Sequence, residues 1–67
     1  MKNVYFVERE DGNVTVSIMY FPTDNKYHFV NLTKGHICAC GFESVDDALV
    51  DMEKLKNEGN IINYYKI

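Results

Sequence analysis

A chain of 67 residues with a net charge of −3 has room for one domain around one small core. Arg9 is its only arginine, and the acidic balance repels a phosphate backbone, which argues against direct binding to DNA or RNA. No apolar run approaches the roughly 20 residues of a membrane helix, and the strand pattern is entered at Asn3 with no export signal before it.

Two cysteines without an export signal predict a reducing, cytoplasmic setting. Cys38 and Cys40 stand too close together to staple distant segments. A chain this small has a thin stability margin, for which self-association is a common remedy. The usage is rich in Asn, Lys, Ile and Tyr and suggests an AT-rich genome, such as a low-GC bacterium, its phage or another mobile element.

The first strand reads Val4-Tyr5-Phe6-Val7 and runs out at Glu8-Arg9. Asp11-Gly12 supplies the positive φ of a tight hairpin. The second strand alternates most clearly, with Val14, Val16, Ile18 and Tyr20 on one face and Thr15, Ser17 and Met19 on the other. Phe21-Pro22 ends it, and Asp24-Asn25 favours a turn. A third strand, Tyr27 to Leu32, is apolar on both faces; Thr33-Lys34-Gly35 then turns the chain into a fourth, His36 to Cys40.

The helix has a sharp start. Ser44 is its N-cap, Asp47 stands three residues on in a capping box, and Val45, Ala48, Leu49, Met52 and Leu55 form one apolar stripe. Gly59 is the natural stop, and a last strand runs from Ile61 to Ile67. The order β-β-β-β-α-β predicts an α+β domain: a small, mostly antiparallel sheet with one amphipathic helix packed on one face.

One helix covers one sheet face, yet the first, third and fifth strands are apolar on both. Either Tyr5 and Val7 or Val4 and Phe6 must point away from the helix. An outer face carrying four or five such residues exceeds the apolar area that a monomer usually leaves exposed, although loops folding over it are the plainer alternative.

His36, Cys38 and Cys40 are the one cluster with metal chemistry. At alternate strand positions they share a face, imidazole and thiolate suit zinc or copper(I), and His28 on the neighbouring strand is a candidate fourth ligand. The plainer reading makes both cysteines small buried hydrophobes. A cysteine nucleophile lacks the helix N-terminus or sharp elbow that lowers a thiol pKa. No triad, carboxylate pair or phosphate loop is visible, so an enzyme is not expected, and neither is a cofactor. The helix acids Asp46, Asp47, Asp51, Glu53 and Glu58 allow a second reading as a nucleic-acid mimic, though capping and the helix dipole already account for some of them.

The opening VYFVEREDGNVTVSIMYFP resembles the start of HicB-type antitoxins, and GFESVDDAL resembles the Gly-x-Thr-x-x-Glu-Ala entry into that family's helix. The likeness covers about half the chain. The segment from Thr23 to Gly35 is longer than the family's connection, and no DNA-binding extension follows the last strand. The resemblance carries no catalytic residue and implies an inhibitor-type role.

Taken together, the residues predict a small non-enzymatic protein-binding module that self-associates or inhibits a partner protein through an aromatic sheet face or an edge strand. The expected contact residues are Tyr5, Tyr27, Phe29, Tyr64 and Tyr65, with Asp47 and Asp51 supplying charge complementarity. A metal-binding module built on His36, Cys38 and Cys40 is the alternative.

Overall fold

The computed structural model describes residues 3–67. Five strands form one antiparallel sheet in the order β4-β3-β2-β1-β5: β1 Val4–Glu8, β2 Val14–Phe21, β3 Lys26–Asn31, β4 His36–Ile37 and β5 Asn63–Lys66. The helix α1, Val45–Asn57, follows β4 at one edge and leads to β5 at the other. Its path therefore crosses one face of the sheet, the inner face, and leaves the opposite one open.

Register decides which half of each strand is buried. Tyr5 lies opposite Val16 and Val7 opposite Val14, so these four share the inner face. Ile18 joins them, and from the other layer Ala48, Met52 and Ile61 complete the buried core. Ala48 has no exposed surface, so its small side chain lies wholly between helix and sheet. Burying one such aliphatic or aromatic side chain is worth about 1.5–3 kcal/mol, so a handful of residues holds the two layers together.

The helix ends are built from local chemistry. The backbone N–H of Asp47 donates to Ser44 Oγ at 3.1 Å, and Asp46 and Asp47 sit at the positive end of the helix dipole. At the other end Gly59 takes φ +82°, while Asn60 N–H reaches the Leu55 carbonyl and Gly59 N–H the Lys56 carbonyl. That is the paired bonding of a Schellman stop, which needs the left-handed residue.

Two expected strands are shorter than their sequence patterns, and the third is displaced by one residue. The fourth strand ends at Ile37 instead of Cys40, and the fifth spans only Asn63–Lys66. The first change has a clear cause. The pairing of Val30 with Ile37 would bring Cys40 opposite Tyr27, but Phe42 occupies that place, so two extra residues loop out between Cys38 and Phe42. Tyr20 also departs from expectation. It shares the inner parity but lies at the far end of β2, exposed, packed edge-on against Tyr27 at 5.2 Å and hydrogen-bonded to Asn25.

Candidate contact surface and inner cleft

The open face is a row of side chains set by the same register. On β1, Val4 and Phe6 point outward as a ridge; beside them on β2, Ser17 and Thr15 stand directly opposite and form a shallow trough. Tyr65 of β5 lies next to Phe6, and on the other flank Val30 lies between Ser17 and Ile37. Phe6, Ile37 and Tyr65 are exposed, as are Met19 further along β2 and Ile67 after β5. The middle of the outer face is thus apolar and open, whereas Glu8 and Asn63 make one end polar and His28, held by Asp24 and Phe21, is covered at the other.

The expected contact residues divide. Tyr65 belongs to the open face. Tyr5, Tyr27, Phe29 and Tyr64 do not: Tyr5 is 6% exposed in the core, and the other three pack half-buried against it on the helix side. Phe29 meets Phe42 edge-on at 5.2 Å, and Tyr64 meets Tyr5 at 6.2 Å while its hydroxyl donates to Glu53. Burial and Glu53 hold the Tyr64 phenol above its ordinary pKa. Val4-Phe6 and Tyr5-Val7 are equally apolar, and only the pairing register selects the inner pair. Asp47 serves the helix cap and is exposed, whereas Asp51, half-buried one turn on, faces the loop carrying Cys40.

His36, Cys38 and Cys40 do not form one ligand row. His36, opposite Asn31, and Cys38 face inward, but the looped-out residues carry Cys40 off the strand. His28, the expected fourth ligand, lies opposite Met19 on the outward parity. Among the described residues no group of three or more His, Cys, Asp or Glu side chains is placed to hold a metal ion. Neighbouring Cys38, burial and the Asp51 carboxylate push the Cys40 thiol above its usual pKa, the opposite of what activates a nucleophile.

His28 has a different task. Only 7% exposed, it lies across the loop entrance with Nδ1 2.9 Å from the Cys38 carbonyl and Nε2 2.7 Å from Asp24 Oδ2. Phe21 packs edge-on against the ring at 5.0 Å. Both ring nitrogens face acceptors, an arrangement that only the imidazolium satisfies fully. The Cys38 carbonyl and then Asp24 raise the His28 pKa, and the His28 bond lowers that of Asp24. Reasoning on metal ligands missed this role; the Asp24–His28 spacing across a turn was its one available signal.

On the helix side the two layers splay apart toward the C-terminal half of α1, leaving a cleft of about 350 Å³. Val7, Val14 and Val16 floor it, Met52, Leu55 and Ile61 wall it, and Arg9, Asn31, His36 and Asn60 supply polar groups.

Comparison with protein-family models, with curated proteins and with solved structures finds no match to this chain. Among the described residues no helix is long and apolar enough to cross a membrane.

Proposed function

We propose that this protein is a non-catalytic protein-binding module that works as a symmetric dimer, formed by laying the open sheet faces of two copies together. One observation carries the reading: the face is self-complementary. The Val4–Phe6 ridge and the Thr15–Ser17 trough are adjacent and parallel. A two-fold axis running along the strands between β1 and β2 sets each ridge into the other copy's trough, and it lays Ile67 of one copy over Val30 of the other, both being level with Val4 and Ser17. Face-to-face sheets then pack about 10 Å apart, the normal spacing of a β-sandwich. The helices end up outside, where their acidic surfaces keep the dimer soluble.

The raised Cys40 thiol and the dispersal of the His/Cys cluster favour binding over chemistry. The free thiols fit a reducing compartment such as the cytoplasm. A second contact mode is favoured by the topology: β5 is a terminal strand of the sheet, and although its Tyr64 N–H donates to Asn63 Oδ1, the rest of its outer edge is placed to pair with an extended segment of a target protein. An inhibitor would use such an edge to mask its target.

Light scattering over a micromolar concentration series tests the dimer. The parent chain is expected to give twice the monomer mass, and Phe6→Glu, which places a charge on the ridge, the monomer mass with an unchanged circular dichroism spectrum. A parent chain that stays monomeric throughout that range contradicts it.

A further inference from the structure

We propose that the inner cleft is a binding site for a small apolar carboxylic acid, separate from the dimer face and on the other side of the sheet. Its volume of about 350 Å³ falls within the range of small-molecule sites. Its floor is buried and aliphatic: Val7, Val14 and Val16 are each at least nine-tenths buried, as is Met52 in the wall. Such a floor gives an organic body a surface from which to displace water and offers a polar group no partner there.

The charge at the cleft is the more informative part. In a chain of net charge −3, no carboxylate lines it among the described residues. The only arginine of the sequence does. Arg9 projects from the end of β1, where its guanidinium meets Asp11 through Nη2–Oδ2 at 3.3 Å and Nε–Oδ1 at 3.2 Å. Both contacts are long and solvent-exposed, so Asp11 is a placeholder that a ligand carboxylate can replace with the same two-pronged geometry. From Arg9 the cleft runs across β2 and β3 to His36 and Cys38 on the β4 side, three strand spacings or about 14 Å. The carboxylate therefore sits at the Arg9 end, and the apolar body lies along Val14 and Val16 toward Phe29.

Titration of the full-length protein with octanoate and with 1-octanol, followed by methyl chemical shifts, tests the site. Octanoate is expected to shift the Val14, Val16 and Leu55 methyls saturably and to bind about fivefold or more tighter than octanol, the preference being due to one charge-assisted pair. Arg9→Gln, on the half-exposed rim, is expected to abolish that preference while octanol binding persists. Asp11→Asn, which releases the guanidinium, is expected to tighten octanoate. Absence of saturable shifts at these methyls overturns the site, and a preference for octanoate that survives Arg9→Gln overturns its carboxylate specificity. Repeating the titration on Phe6→Glu separates the outcome from dimerisation, because these methyls lie on the helix side of the sheet.

Discussion

At the scale of single residues, His28 connects three pieces of chain that share no regular ladder: the β2–β3 turn through Asp24, the looped-out segment through the Cys38 carbonyl, and the end of β2 through Phe21. The consequence is a pH dependence with a defined sign. His28 is raised above its unfolded value of 6.5, so its contribution to stability is fully present below that pH and is lost as pH rises through the folded value. Asp24 is lowered from 3.8, so its contribution is present above 3.8 and is lost as pH falls through the folded value. Both operate together between those limits. The melting temperature of the parent chain should therefore fall as the buffer is taken upward from pH 6.5, and Asp24→Asn should flatten that slope. A slope that is the same in both proteins would assign the pH dependence to other groups.

The elements themselves rest on a few local decisions. Removing the cap hydroxyl with Ser44→Ala should cost about 1 kcal/mol in urea unfolding, the usual value for an N-cap. Gly59→Ala forces a Cβ into φ +82° and should cost about 1–2 kcal/mol, with fraying confined to the last turn of α1 in hydrogen exchange. Gly41 is of another kind. A Cβ there would lie 2.9 Å from both Cβ and Cγ of Lys26, where the paired bonds between Tyr27 and Phe42 draw the two backbones together. Gly41→Ala should destabilise by about 1–3 kcal/mol and expose the Tyr27 and Phe42 amides to exchange, since the Lys26 Cβ is fixed to its strand and has little slack.

These elements were legible in the sequence to unequal degrees. The alternation of β2, the Ser44 cap and the Gly59 stop are local signals, and each specifies its own geometry. The looped-out Cys38–Phe42 connection is not local. It depends on the register with β3, and strand-forming Ile37 and Cys38 give no warning that the ladder stops there. The same limit hid which side chains face outward: Tyr5 and Phe6 are interchangeable by hydrophobicity, so four aromatic residues expected on the surface belong to the core side. That one face would remain apolar and open was legible, because counting helical against strand surface needs no register.

At the scale of the whole molecule, one helix and a five-stranded sheet make two layers, and a third layer is what the open face lacks. In the proposed dimer a second copy provides it, ridge against trough. The most direct test is an isotope-filtered nuclear Overhauser measurement on a mixture of labelled and unlabelled chains. Contacts between the Phe6 ring of one copy and the Thr15 methyl of the other, together with Ile67 against Val30, are the predicted result. A mixed sample in which these pairs give only intramolecular signals, at the correlation time of a 7.8 kDa monomer, would contradict the dimer.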